Sequence, residues 1–324
     1  MTPLKKIIRA ILLSNLFLYF FGSKLLFKLF FRNKLVVFLF HEISFKPSKF
    51  YHEYNLNINP KLFEKQIEFI SKNFKIIHAK ELFKKNNKNP SALITFDDGS
   101  IGVFKNAIKF LKYKKYPCII FINISQIKNE IFWPGLVHYL DNNFDKFKNI
   151  VNPKNKKHIT GKEFLYAHPE HVKEFFKFFD ENKITISAKK YYGKFGSLND
   201  LKKISKSKLF CFGNHLYNHY NSLVISQKLL IDNYTKNKNE MNFLENYIDY
   251  FSYPFGQKDI CYNNTSNEII LNNGSKAIFT SNPNGGFNKQ NMIFHRFSMD
   301  ESFTSEKILL AKLNYRRIIN LFQS

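Results

Sequence analysis

The chain has 324 residues, 44% of them hydrophobic and 17% aromatic, which is enough apolar material for one large domain or two small ones, and single α/β barrels commonly reach this size. Its formal net charge of +25 raises nucleic acid or anionic lipid as a partner, but the lysines are scattered and there is no Arg-rich helix, zinc-finger spacing or RNA-binding signature, so nucleic-acid recognition is set aside. Cys118, Cys211 and Cys261 are too few and too widely spaced for a disulfide framework or a Cys-based zinc site.

Taken from the N-terminus, an apolar run from Ala10 to Ser23 follows Lys5, Lys6 and Arg9. At about 14 residues it is short of the roughly 20 that a spanning helix needs. It has the length of a signal-peptide core but lacks a good cleavage site. Lys24 and Lys28 share a helical face, so residues 1–33 read as an apolar N-terminal segment, either a membrane anchor or an interfacial helix. A strand is expected at Leu35–Phe40, running into His41-Glu42. A helix follows from Pro60, with proline in its first turn, to Asn73. A short strand at Lys75–His78, a helix at Ala79–Lys85, a loop at Asn86–Pro90 and a strand at Ala92–Phe96 come next, and Asp97-Asp98-Gly99 ends that strand. Residues 102–114 read as helix and Cys118–Ile122 as a buried strand. This β-then-α alternation predicts an α/β fold with a parallel sheet.

Residues 130–195 show weak periodicity and read as an insertion of helical pieces. Order returns with a helix at Leu198–Ser205, a strand at Leu209–Phe212 leading to Gly213-Asn214-His215, a helix from about Ser226 to Tyr247 and a strand ending in Tyr253-Pro254-Phe255-Gly256. Strands at Ala277–Thr280 and Ile293–Phe297 and a helix at Lys307–Leu321 complete the chain.

Several polar groups stand where such folds place their chemistry. Asp97 and Asp98 follow an apolar strand and alternate in direction, so both cannot point into the core, and Gly99 lets the backbone turn. Paired carboxylates at a strand's C-terminal end suit one metal ligand and one base, or equally a turn with an Asp helix cap. His215 and His219 share a face if a helix starts there, which is half of a divalent-metal site. Pro254-Phe255 in a rigid rim loop could present a backbone N–H as an oxyanion donor. His41 and Arg296 are single polar residues beside strands and carry little alone.

Together and in this order, Thr95-Phe96-Asp97-Asp98-Gly99, Gly213-Asn214-His215 with His219, and Ser252-Tyr253-Pro254-Phe255-Gly256 resemble the three motifs of the polysaccharide deacetylase family, the NodB-homology or carbohydrate esterase family 4 group. Trp133 also stands where members often carry a tryptophan. The resemblance covers roughly residues 35–300. It implies a distorted, partial (β/α) barrel formed by residues 34–324. It implies one divalent metal ion, zinc or a similar first-row ion, held by Asp98, His215 and His219, with Asp97 as general base and the Phe255 N–H at the oxyanion. Two departures stand out. Ser252 occupies the place where the third motif usually has arginine, and Leu216 replaces a common Ser or Thr. The early aromatic-His pair Phe40-His41 resembles the circularly rearranged subgroup, in which His41 protonates the leaving amine and Arg296 orients Asp97, with His295 a competing acid.

The expected function is a metal-dependent hydrolase that removes N-acetyl groups from sugars of a bacterial surface polysaccharide or its lipid-linked precursor. The competing readings are an O-acetyl esterase, a glycan-binding pseudoenzyme on the same barrel, and a basic protein without catalysis. The intact Asp97, Asp98, His215 and His219 favour the enzyme. The basic surface and apolar N-terminus suit work at the inner membrane, on its cytoplasmic face by preference.

Overall fold

The computed structural model describes residues 14–84, 89–151, 163–281, 287–288 and 292–323. The expected run from Ala10, the loop Asn86–Pro90 and the middle of the 130–195 region therefore lie partly outside the described residues.

The strands in chain order are β1 (Leu35–Phe40), β2 (Glu42–Ile43), β3 (Asn57–Ile58), β4 (Lys75–Ile76), β5 (Ser91–Phe96), β6 (Cys118–Ile122), β7 (Phe210–Asn214), β8 (Tyr247–Ser252), β9 (Ala277–Thr280), β10 (Phe287–Asn288) and β11 (Ile293–Ser298). Seven of them pair in parallel around a closed ring, in the order β1, β5, β6, β7, β8, β9, β11 and back to β1. The expected barrel is therefore present, with seven strands where a complete (β/α) barrel has eight. β1 joins β5 on one side and β11 on the other, so the first and last strands of the ring are neighbours.

Near-continuous apolar runs make these strands, as expected where both faces are buried. Alternate residues serve the two faces. Phe38, Phe40, Ile94, Phe96, Ile120 and Ile122 lie in the cluster that packs under the helices. Val37, Leu93, Ile119, Phe121, Cys211 and Phe279 fill the barrel with Ala79 and Leu82. Those last two follow β4, which pairs with the start of β5, so they close the N-terminal mouth. The polar residues are left to the C-terminal mouth. Each fully buried Phe or Ile contributes roughly 1.5–3 kcal/mol.

The helices Pro60–Asn73 and Leu198–Ser205 have the expected bounds, set by side-chain caps from Asn59 and Ser197. Others differ. The expected helix Ala79–Lys85 is one 3₁₀ turn, Ala79–Glu81, capped by His78. The expected helix Ser226–Tyr247 spans Gln227–Glu240. Met241 and Leu244, both buried, then draw the chain back to the sheet, and Tyr247 opens β8. Residues 102–114 begin with a π-helical turn, Val103–Ala107, before the α-helix Ile108–Lys114.

Between β6 and β7 the helices Trp133–Asn143, Asp145–Val151, Pro169–Phe176 and Glu181–Tyr192 gather around Phe132, Leu136, Leu140, Phe147 and Phe175 in a cluster of their own. At the N-terminus two short helices, Asn15–Phe21 and Lys24–Phe31, pack on the last helix, Glu306–Gln323. Asn314 donates to the carbonyls of Phe21 (2.8 Å) and Ser23 (3.1 Å), and Lys24 pairs with Glu306 at 3.0 Å. No helix among the described residues is long and apolar enough to cross a membrane.

Candidate active site

The polar residues singled out by sequence gather at the C-terminal mouth. His41 follows β1, Asp97 and Asp98 follow β5, His215 follows β7, Ser252 ends β8 and Arg296 lies within β11. This is where barrels of this class expose functional groups.

Asp97 points into the barrel against Arg296. The guanidinium donates from Nη1 to Oδ1 at 2.7 Å and from Nη2 to Oδ2 at 2.6 Å. It also donates to Ser252 Oγ at 2.7 Å and, from Nε, to the Thr280 carbonyl at 3.2 Å. Ser252 Oγ in turn donates to Asp97 Oδ2 at 3.3 Å. Arg296 is 1% exposed and Asp97 3%, so this is a buried, bidentate pair, with two further guanidinium N–H groups satisfied by Ser252 and Thr280. Burial alone would raise the Asp97 pKa; the charge and hydrogen bonds of Arg296, together with the nearby His215 and His41, outweigh it and hold the carboxyl below its ordinary range. Arg296 on β11 thus places a guanidinium at the β8 end, beside Ser252. β9 lies between those two strands, and Arg296 reaches across the interior.

Asp98 turns the other way because its backbone is left-handed (φ 68°), and Gly99 follows at φ 72°. Its Oδ1 lies 3.5 Å from His215 Nε2 and 3.2 Å from His219 Nε2. The ligand atoms of these three buried residues all lie within 4.8 Å of one another. Burial pushes the Asp98 carboxyl up, but the two imidazoles pull it well below the usual carboxylate range.

The expectation that His215 and His219 converge through helical spacing is corrected. Residues 215–226 form turns and bends, and the imidazoles meet because Leu216 (φ 61°) and His219 (φ 57°) are both left-handed. Phe255 is left-handed too (φ 61°), and its ring stands edge-on to His219 at 4.9 Å. Non-glycine residues rarely adopt this conformation, and such strain gathers where surrounding structure enforces a functional geometry. Here buried asparagines enforce it. Asn123 donates to the carbonyls of His215 and Leu216, and Asn214 Oδ1 accepts from the Leu216 N–H at 2.9 Å and from Asn237 at 2.8 Å. Leu216 fills an apolar cluster while the asparagines hold its backbone.

The donor set fits a divalent metal. His215 Nδ1 lies 2.7 Å from the Ser252 carbonyl, which can only accept, so the proton sits on Nδ1 and Nε2 is left as a lone-pair donor. Burial lowers the pKa of His219, keeping it neutral. Asp98 Oδ1 is buried and, among the described residues, has no hydrogen bond, which an adjacent cation would explain. Two imidazoles and a carboxylate form a site suited to a first-row divalent ion.

Of the two candidate acids, His41 belongs to this group. Burial lowers its pKa, with Asp98, Asp97, Arg296 and His215 all close enough to act on it. His295 alternates to the outer face of β11, where Nδ1 meets Thr280 Oγ1 at 2.7 Å and its charged neighbour is Lys258. Two residues had no local sequence signal. Tyr51 donates its hydroxyl to Asp98 Oδ2 at 3.1 Å from the short helix Lys49–Glu53 that follows β2, and burial with the nearby Asp98 charge raises its pKa so that it stays a donor. Glu42, 5% exposed, packs against Gly102, where an added Cβ would lie 1.8 Å from its Oε1.

No curated protein sequence matches the chain. Among solved structures, the fold is similar to IcaB from Ammonifex degensii (18% identity, TM-score 0.53, covering 86% of this chain and 97% of that one). It is also similar to the Streptococcus pyogenes deacetylase PplD in complex with acetate (16%, TM-score 0.57, 87% and 98%) and to a de-N-acetylase from Aggregatibacter actinomycetemcomitans (11%, TM-score 0.52, 86% and 99%). A family profile described as polysaccharide deacetylase matches residues 84–278, well over half the chain. That span contains both aspartates, both histidines and the Pro254-Phe255 loop, and the chain belongs to the polysaccharide deacetylase family, carbohydrate hydrolases that remove acetyl groups.

Proposed function

We propose that the chain is a metal-dependent de-N-acetylase of a bacterial surface polysaccharide or its lipid-linked precursor. The observation that carries this is the convergence of Asp98, His215 and His219 within 4.8 Å, beside an Asp97 clamped by Arg296. The structural similarity to the Aggregatibacter de-N-acetylase supports the choice of an amide over an ester.

A divalent ion held by Asp98, His215 and His219, zinc by its donor set, would supply Lewis acidity to water and to the acetyl carbonyl. The chain's own groups do the rest. Asp97, kept ionised by Arg296, takes a proton from the attacking water. The Phe255 N–H, aimed by the Pro254 loop, donates to the oxygen that becomes negative. His41 passes to the sugar nitrogen the proton that Asp97 has taken from water, as the C–N bond breaks, releasing acetate and a free amine. Residues 34–324 form the catalytic unit, and the helices between residues 133 and 192 are its insertion.

We also propose that it works on a membrane surface, on the cytoplasmic face of the inner membrane. Leu16, Tyr19, Phe20, Leu25 and Leu29 are between 57% and 78% exposed on the two N-terminal helices. Leu25, Lys28, Leu29 and Arg32 share one exposed face, an arrangement suited to an anionic bilayer. The buried free cysteines suit a reducing compartment.

The experiment is acetate release from a panel of N- and O-acetylated glycans, with and without chelator. N-acetylated substrates are expected to turn over, chelator to stop the reaction and zinc to restore it. No release from any glycan by metal-loaded protein would refute the enzyme. Flotation with vesicles containing anionic phospholipid tests the surface: Leu25→Ser with Leu29→Ser is expected to leave the protein at the bottom of the gradient, and unchanged flotation refutes that role.

A further inference from the structure

The helix Lys49–Glu53 has five residues, too few to hold its shape in water unaided. Its cap residue Ser48 makes no side-chain bond to the helix. The Ser48 hydroxyl donates instead to the Tyr192 carbonyl at 2.8 Å, at the end of the helix Glu181–Tyr192. Lys49 sets its ammonium 5.6 Å above the Tyr191 ring. Phe50 stands edge-on to Phe132 at 5.4 Å and to His138 at 5.8 Å. Both buried residues of the helix, Phe50 and Tyr51, belong to the cluster built by the helices of residues 133–192 and not to those of the barrel. The insertion therefore supports this helix along its length.

Its firmest hold is polar. The Asn142 amide nitrogen lies 2.9 Å from His138 Nε2. Since Nε2 accepts, the neutral ring carries its proton on Nδ1. Burial, outweighing the attraction of Glu53, lowers the His138 pKa to about 4 and keeps the ring neutral. Nδ1 then donates to the Tyr191 hydroxyl at 2.5 Å, and that hydroxyl donates to Glu53 Oε2 at 2.5 Å. All three donors point the same way and end on a carboxylate, so each bond polarises the next.

Residues two apart on a helix do not share a face. With Glu53 drawn to Tyr191, Tyr51 is free to give its hydroxyl to Asp98 Oδ2 at 3.1 Å. Oδ1, the oxygen beside His215 Nε2 and His219 Nε2, is left for the ion. A carboxylate pinned through one oxygen offers the other in a fixed direction, and outer contacts of this kind govern metal affinity.

We infer that Tyr191 is a positioning residue of the metal site: through Glu53 it holds Tyr51 against Asp98, so that the insertion sets how tightly the ion is bound. The inference rests on the metal-dependent reading of the site.

The test measures zinc affinity of the full chain by competition with a chromogenic chelator, which needs no substrate. Tyr191→Phe and Glu53→Ala are each expected to weaken zinc binding about tenfold. In a Tyr51→Phe protein neither change is expected to weaken it more than about twofold further, because the contact through which both act is already gone. A residue that only stabilises the fold would cause the same loss in both backgrounds. Phe175→Leu loosens the same cluster while removing none of these hydrogen bonds; it is expected to lower the melting temperature and keep the zinc affinity. Unchanged affinity in either Tyr191→Phe or Glu53→Ala, an equal loss with and without the Tyr51 hydroxyl, or a Phe175→Leu protein that loses as much zinc affinity would each overturn the positioning role and leave the metal site standing. Wild-type protein that takes up no zinc removes the metal-dependent reading, and this role with it.

Discussion

Replacing Arg296 with methionine tests the centre of the site through stability alone. The side chain donates to both Asp97 oxygens at 2.7 and 2.6 Å, to Ser252 Oγ and to the Thr280 carbonyl, and both charged partners are almost fully buried. Methionine fills much of the volume but leaves the Asp97 carboxylate buried without a counter-charge, which costs about 3–5 kcal/mol. For a chain of this length that corresponds to a fall in melting temperature of roughly 4–7 °C, taking the usual unfolding entropy per residue. Removing the second charge should recover most of the loss, because a buried pair replaced as a whole is close to neutral. Thermal melts of the wild type, Arg296→Met, Asp97→Asn and the double variant form a closed cycle with an expected coupling of about 3 kcal/mol or more. An Arg296→Met protein within about 1 kcal/mol of wild type, or a double variant no more stable than Arg296→Met, would show that the pair is not the buried, mutually dependent unit described here.

Three further outcomes are expected. Glu42, raised by burial from its ordinary 4.5 to about 7, favours the protonated folded form, so its contribution is complete below about pH 4.5 and is lost as pH rises through 7. Glu42→Gln should therefore lose about 3 kcal/mol less stability than wild type between pH 4.5 and 8.5 in urea titrations, and parallel pH curves would contradict the burial argument. Tyr51→Phe removes the donor to Asp98 Oδ2 and should weaken zinc affinity about 10- to 100-fold by competition with a chromogenic chelator; unchanged affinity would make the contact incidental. His41→Ala should cut kcat by about 10²–10⁴ with zinc content unchanged, while His295→Ala should leave kcat within about twofold; the reverse result would move the acid to β11.

The elements most legible in the sequence were those governed by local rules. Pro60–Asn73 and Leu198–Ser205 carry their own caps, and the apolar runs of β1, β5, β6 and β9 can only be buried strands. The end of the helix begun at Gln227 was not legible, because Met241 and Leu244 turn the chain through contacts with a core assembled from distant segments. The region 130–195 was unreadable for a related reason. Its helices bury against one another and against Phe50 and Tyr51, not along a single periodic face.

The site divides in the same way. The sequence by itself singled out the candidate site residues, since Asp97, Asp98, His215, His219 and the Pro254-Phe255 loop lie in short motifs whose identity is local. Only the tertiary structure decided how they act together. Ring closure between β1 and β11 brings His41 and Arg296 beside Asp97 from opposite ends of the chain, and the guanidinium crosses the barrel to Ser252. The histidines meet through left-handed backbone at Leu216 and His219, held by Asn123 and Asn214. Strain of this kind is paid for by long-range hydrogen bonds, and no spacing of residues along a chain records it.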